Sequence, residues 1–194
     1  MPQTTLKELP FARALAEVEG HGAAFVDIRP VAAYLEVHIP GSLNLEYDSG
    51  PGFQGRARDC IPLDTPLVLV DLGSNDPRAA ADALKSKGFT VLGACDDAIN
   101  KWAEARGTPA STEVDTGVDP PHGCTVLDVG DAGATVPDGT LLIPVDRLWR
   151  RADEVPDGRI AVAAGYGVRA SLALGILERH GSVDVSMWRT GRRG

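Results

Sequence analysis

The stretch that decides the fold is residues 24–44, which read AFVDIRPVAAYLEVHIPGSLN. It opens with Ala24–Ile28, a short apolar run of the kind found in buried strands. A helical turn over Val31–Leu35 follows Pro30, because proline favours the first turn of a helix. A turn over residues 38–41, His-Ile-Pro-Gly, comes next. Strand, short helix and turn in this order indicate an α/β fold.

The alternation of strands and helices continues through the first half of the chain. Pro66–Val70 is a short β-branched run, typical of a parallel strand that is covered on both faces. Asp76-Pro77 opens a helix as an N-cap followed by proline, and Gly88 ends that helix. A third strand is predicted over residues 89–92.

The same order of elements recurs after a break. Periodicity is lost between Gly107 and Gly123, and residues 109–122 are predicted to be a linker. Strands are then predicted at residues 124–128, 141–143, 160–163 and 183–185, and helices at residues 145–151 and 169–180. Asp27 recurs as Asp128 and Gly88 as Gly181, which indicates an internal repeat. We therefore expect two α/β units, residues 1–108 and 123–194, each a parallel sheet flanked by helices.

The two copies differ in length. The second has no counterpart of the Gly/Arg-rich segment Asp48–Asp59 of the first.

Composition excludes several classes of function. The 194 residues carry a formal net charge of −8, which argues against a nucleic-acid partner. No apolar run is long enough for a membrane span, and no signal-peptide pattern is visible, so we expect a cytoplasmic protein without a membrane partner. The 3 cysteines and 4 histidines are isolated in the sequence, which predicts no disulfide framework, no metal site and no cofactor.

The first copy resembles the rhodanese-like (sulfurtransferase homology) superfamily. The resemblance rests on residues 26–30, on Tyr34 and on residues 38–44. Within this signature we interpret four residues as structural, namely Asp27, Arg29, His38 and Gly41.

The second copy resembles the same pattern through residues 127–129, 143–145 and 161–171. The pair is similar to the C-terminal tandem of metallo-β-lactamase/rhodanese fusion proteins, although the HxHxDH cluster of their metallohydrolase half is absent here. The resemblance implies two tandem rhodanese-like domains, each with a mostly parallel sheet. It also implies a separate metallo-β-lactamase-fold or sulfur-carrying protein as a partner.

The chemistry of this family resides in a loop between a strand and a helix. Backbone N–H groups of the loop converge on one centre, and the positive end of the following helix adds to them. A cysteine at the first loop position is a good thiolate there, and it carries the transferred sulfur as a persulfide.

In this chain the two nucleophile positions are occupied by Asp71 and Ala164, so neither loop has a catalytic cysteine. The first loop has lost its form, and its carboxylates, Asp71 and Asp76, would oppose an anion. The second keeps a glycine and an arginine at the expected places. The candidate anion-binding loop is therefore Ala164, Gly165, Tyr166, Gly167, Val168 and Arg169.

None of the three cysteines is predicted to lie at a strand-to-helix turn. Cys60 is placed in the loop before the second strand, Cys95 after the third strand, and Cys124 at the start of the second unit. Each is interpreted as an inert thiol. An arrangement in which one of them reaches the Ala164 loop across the two units stays open.

Four functions are compatible with these residues. The first is a catalytically inactive tandem that binds a small oxyanion or a persulfide, or acts as a regulatory protein-interaction module in sulfur metabolism. The alternative is a thiosulfate or sulfane-sulfur sulfurtransferase that uses a displaced cysteine. A structural tandem docked on a separate metallohydrolase is the third. Phosphatase-like or arsenate-reductase-like chemistry ranks last, because it needs a cysteine followed by a nearby arginine.

Overall fold

The structure is a computed structural model and describes residues 6–48, 50–70, 75–164 and 167–189. The α-helices in these ranges are α1 (Phe11–His21), α2 (Val31–Glu36), α3 (Pro51–Cys60), α4 (Pro77–Ser86), α5 (Ala98–Arg106), α6 (Val145–Arg151) and α7 (Val168–Arg179). The strands are β1 (Ala24–Asp27), β2 (Leu43–Asn44), β3 (Leu67–Val70), β4 (Val91–Cys95), β5 (Val114–Asp115), β6 (Thr125–Asp128), β7 (Leu141–Leu142), β8 (Ile160–Ala164) and β9 (Val185–Arg189). None of these helices is long and apolar enough to cross a membrane.

The strands form two parallel sheets with the same internal order. The first runs β2-β1-β3-β4, and the second runs β5-β9-β8-β6-β7. Strands β7, β6, β8 and β9 thus repeat the arrangement of β2, β1, β3 and β4, with β5 added at the edge beside β9. In the first sheet Glu8 bridges to Ala94 of β4 in the corresponding place. The predicted fold class, two units each with a mostly parallel sheet flanked by helices, is confirmed.

Helices α4 and α6 begin where the sequence predicts them. Asp76 caps α4, and its carboxylate accepts a hydrogen bond from the backbone N–H of Arg78 at 2.9 Å. Helix α6 covers residues 145–151, as its sequence pattern predicts.

Two strands lie later in the chain than predicted. The third strand begins at Val91 instead of Phe89, and the last runs from Val185 to Arg189 instead of ending at 185. Their bounds follow from pairing with neighbours, since Val70 faces Cys95 and Ala164 faces Arg189. Short apolar runs do not encode such a register by themselves.

The segment predicted as a linker, residues 109–122, is folded onto both units. Its strand β5 pairs with β9, and Ala110 bridges to His38 of the first unit. The boundaries of the two units stay a prediction.

One hydrophobic core extends across both units. Val26 and Leu69 of the first sheet belong to the same buried cluster as Leu127 and Met187 of the second. Helix α7 contributes Leu172, Leu174 and Leu177 to it, among other side chains. The opposite face of the first sheet packs separately against α1 and α5. Because α7 is shared by the two units, it fixes their relative position.

The two units approach each other closely at Gly175 of α7. A Cβ atom at this position would overlap the carbonyl oxygen of Ser42, which precedes β2, and would lie 3.1 Å from the Tyr34 hydroxyl. Only glycine lets the helix lie this close to the turn of the first unit.

Candidate functional site

The residues of the signature anchor the first unit. The Asp27 carboxylate, fully buried, accepts hydrogen bonds from Arg29 Nε at 3.0 Å and Arg29 Nη2 at 2.6 Å. The same Nη2 donates to the carbonyl of Val37 at 2.7 Å, beyond the end of α2. Both charged groups therefore join β1 to the segment after α2.

The other two signature residues connect the units. The buried His38 ring has Nδ1 2.9 Å from the carbonyl oxygen of Tyr34 and Nε2 3.1 Å from the Glu178 carboxylate. The other oxygen of Glu178 accepts the backbone N–H of Gly41 at 2.8 Å. The end of α7 is thus held by the His-Ile-Pro-Gly turn of the first unit. The sequence gives no indication of Glu178 in this role.

The candidate anion-binding loop connects β8 to α7. Strand β8 ends at Ala164, and α7 begins at Val168 after Gly167, whose φ of 93° lies in the left-handed region that favours glycine. Gly165 and Tyr166 lie outside the described residues, as does Asp71 in the first unit. Arg169, in the first turn of α7, has Nη1 3.0 Å from the Asp131 carboxylate.

A cleft of about 660 Å³ lies beside this loop. It is found past the carboxyl ends of β6 and β8, where the chain turns to opposite sides of the sheet, and open parallel sheets bind ligands at this place. The second unit lines it with the segment after β6, the start of α6 and the start of α7. The first unit supplies the opposite wall through α3, the helix formed by its Gly/Arg-rich insertion.

A difference between the copies helps to explain why the cleft is open. In the first unit the N–H of Arg29 donates to Asp27 Oδ1 at 2.9 Å, and in the second the N–H of Gly130 donates to Asp128 Oδ1 at 2.7 Å. The turn is preserved, but glycine has replaced the arginine. Gly130 has no side chain to fill the space past β6, and it lines the cleft.

The charged side chains that line the cleft come from both units. They are Arg56 and Asp59 of α3, Asp131 after β6, Asp146 of α6 and Arg169 of α7. Sequence reasoning singled out Arg169 alone. The sequence feature that could have predicted Arg56 and Asp59 as lining residues is the Gly/Arg-rich insertion, because only the first copy has this segment. In the part of the chain that the structure describes, no three His, Cys, Asp or Glu side chains lie close enough to hold a metal ion.

One cysteine lines this cleft. Cys60 is the last residue of α3, not a loop residue as predicted, because the Gly/Arg-rich insertion folds as a helix up to this position. Its side chain is buried, and burial, with smaller contributions from Asp59 and Asp146, raises the pKa of the thiol to about 12. Arg56 and Arg169 offset this only in part. The thiol is therefore protonated at neutral pH, which makes it a poor nucleophile.

The other two cysteines lie elsewhere. Cys95 is buried at the end of β4, and the thiol of Cys124 donates to the carbonyl of Pro121 at 2.8 Å. Neither lines the cleft.

The pKa of Cys60 leads to a prediction about alkaline stability. A thiol whose pKa is about 12 in the folded protein, against the ordinary 9.0, stabilises the fold fully below pH 9 and loses this effect between pH 9 and 12. We expect the unfolding free energy to fall less steeply above pH 9 in Cys60→Ala than in the wild type. Denaturant titrations between pH 8 and pH 11 measure this slope.

The control for this measurement is Cys124→Ala, which keeps Cys60 and should keep the wild-type slope. Some alkaline loss should remain in every variant, because burial raises the pKa of Tyr34 as well. Equal slopes in Cys60→Ala and the wild type would contradict a buried thiol at this position.

The comparisons with known proteins place the first unit in a family. Residues 11–105 match the profile described as Rhodanese-like domain. The thiosulfate sulfurtransferase GlpE of Pseudomonas savastanoi pv. phaseolicola is 33% identical over 99 residues, which are 51% of this chain and 89% of that protein. A GlpE of Pseudomonas fluorescens is 38% identical over 96 residues, 50% of this chain and 84% of its own length. The chain belongs to the rhodanese-like family.

Solved structures are similar over almost the whole chain. SseA of Escherichia coli, described with the 3-mercaptopyruvate sulfotransferases, is 16% identical, with a TM-score of 0.41, and the match covers 98% of this chain and 100% of that one. The thiosulfate sulfurtransferase of Pseudomonas aeruginosa is 19% identical, with a TM-score of 0.41, and the match covers 97% of this chain and 39% of that one. The GlpE relatives, by contrast, match about half of this rhodanese-like chain.

Proposed function

We propose that this rhodanese-like protein binds a small sulfur-containing molecule in the cleft between its units and does not itself catalyse sulfur transfer. The observation that carries the proposal is the cleft at the end of β8, where the family has its nucleophile and this chain has Ala164. Arg56 lines the cleft beside the ion pair of Arg169 with Asp131, and its guanidinium can contact an anionic group there.

The state of Cys60 supports a binding role over a catalytic one. Sulfur transfer from thiosulfate needs a thiolate that attacks the outer sulfur, so that a new S–S bond forms and sulfite leaves. A thiol with a pKa of about 12 supplies almost no thiolate at neutral pH. Docking onto a separate metallo-β-lactamase-fold or sulfur-carrying protein stays a further part of this proposal.

The test combines turnover and binding. We expect the purified protein to form thiocyanate from thiosulfate and cyanide no faster than a variant in which all three cysteines are serine. In a thermal-unfolding screen of small sulfur compounds, at least one compound should raise the Tm of the protein, because a ligand that binds only the folded state stabilises that state. That shift should shrink in Arg56→Gln. A screen without any shift would argue against the proposal.

The second candidate function is sulfur transfer through Cys60. It is favoured by the position of this thiol in the same cleft as Arg169. Turnover that disappears in Cys60→Ser but persists in Cys124→Ser would favour this candidate. Incubation with thiosulfate should then add the mass of one sulfur atom to the peptide that contains Cys60.

A further inference from the structure

The charges around the cleft are not those of a simple anion site. The lining residues include two arginines and three aspartates, and one arginine is already paired, since Arg169 Nη1 lies 3.0 Å from Asp131. This leaves Arg56, Asp59 and Asp146, for which no ion pair or hydrogen bond is found among the described residues. The cleft therefore offers one positive group and two negative groups to a ligand.

The three groups lie on two helices that line the cleft. Arg56 is half-buried on α3, and its Nη2 lies 3.8 Å from a Cβ built on Gly52, so the guanidinium lies along the glycine-rich side of that helix. Asp59 lies three residues further along α3, next to Cys60, and is therefore a surface neighbour of Arg56. Asp146 is on α6. A ligand between α3 and α6 can therefore contact the guanidinium and a carboxylate at the same time.

The pKa of Cys60 reflects the charges of this lining. Asp59 and Asp146 raise the pKa of this thiol more than Arg56 and Arg169 lower it. The negative charges therefore prevail at this wall. A dianion such as thiosulfate would gain one guanidinium contact there but would meet two unneutralised carboxylates.

We infer that the cleft binds a zwitterionic sulfur compound of the amino-acid class, with its carboxylate on Arg56 and its ammonium group facing Asp59 and Asp146. This inference rests on the proposed function and names its ligand class. The sulfur end of such a molecule faces the apolar part of the lining, which Val129, Val145 and Val168 form.

Three small thiols test the two charges separately. L-Cysteine has both groups, 3-mercaptopropionate lacks the ammonium group, and cysteamine lacks the carboxylate. By titration calorimetry under reducing conditions we expect L-cysteine to bind about tenfold more tightly than either analogue, the loss expected for one charge-assisted hydrogen bond. Thiosulfate should bind more weakly than L-cysteine.

Substitutions assign each preference to a residue. Arg56→Gln should abolish the advantage of L-cysteine over cysteamine, and Asp146→Asn should reduce its advantage over 3-mercaptopropionate. The matched controls are Arg58→Gln, on the same helix but outside the cleft lining, and Asp138→Asn, in an exposed loop. Both controls should leave all affinities unchanged.

These measurements test the zwitterion inference separately from the proposed function. Equal or tighter binding of 3-mercaptopropionate or thiosulfate would overturn the zwitterion inference and leave the proposed function intact. Equal binding of L-cysteine and cysteamine, or preferences that survive Arg56→Gln and Asp146→Asn, would overturn it as well. If none of the four compounds binds, the inference fails, and a blank result in the wider thermal screen would then remove the proposed function too.

Discussion

Replacing Gly175 by alanine is expected to lower the free energy of unfolding by about 3 kcal/mol, the upper end of the usual cost of overpacking. The added methyl group would overlap the carbonyl oxygen of Ser42, and a backbone atom cannot rotate away as a side chain does. For a chain of this size the loss corresponds to a decrease in Tm of about 6–12 °C, measurable by calorimetry.

The matched control is Gly20→Ala in α1. Nothing lies within 4 Å of a Cβ built there, so the same change at a helical glycine meets no obstacle. It should leave stability unchanged or raise it by up to about 1 kcal/mol, because alanine favours the helix. Equal stabilities of the two variants would mean that α7 does not lie against Ser42.

Removing the Glu178 carboxylate is expected to have an effect of similar size. Glu178→Ala leaves His38, which is fully buried, and the backbone N–H of Gly41 without their acceptor. Each buried group that loses its hydrogen-bond partner costs about 1–3 kcal/mol, because it stays desolvated, so the two contacts together are worth about 3 kcal/mol. Chemical denaturation of the wild type and the variant measures this loss.

Glu154→Ala tests whether the effect is specific to the contact between the units. Glu154 pairs with Arg151 at 2.6 Å, but both side chains are exposed, so this variant should be almost as stable as the wild type. Glu178→Gln, which keeps an acceptor for Gly41, should fall between Glu178→Ala and the wild type. A wild-type stability for Glu178→Ala would show that the two units are held together elsewhere.

The architecture could be predicted from local patterns because each unit repeats them. The run that ends at Asp27 and the run that ends at Asp128 both mark a central parallel strand, and both are found there. The proline after Asp76 begins a helix, because the fixed φ angle of proline suits the first helical position. The strand that begins at Val91 lies later than its own residues predict, because its position is set by pairing with its neighbour β3.

The cleft could not be predicted in the same way. It joins Arg56 of α3 to Arg169 of α7, residues far apart in the sequence, and their proximity depends on how the two sheets pack. The family loop predicts Arg169 as a site residue. The sequence also predicts Cys60 to lie in a loop, because the glycines and arginines of residues 50–60 show no helical pattern, although α3 forms there. Contacts that cross from one unit to the other, such as that of His38 with Glu178, leave no trace in the spacing of residues along the sequence.

Helix α3 makes the lining of the cleft depend on both copies of the repeat. The first copy, which has the recognisable signature, provides one wall of the cleft, and the second copy, with glycine in place of arginine at residue 130, leaves the space open. Neither copy could be lost or exchanged by itself without removing half of the lining. A change of the ligand that we propose for this cleft would therefore require substitutions in both copies, on α3 of the first and on α6 or α7 of the second.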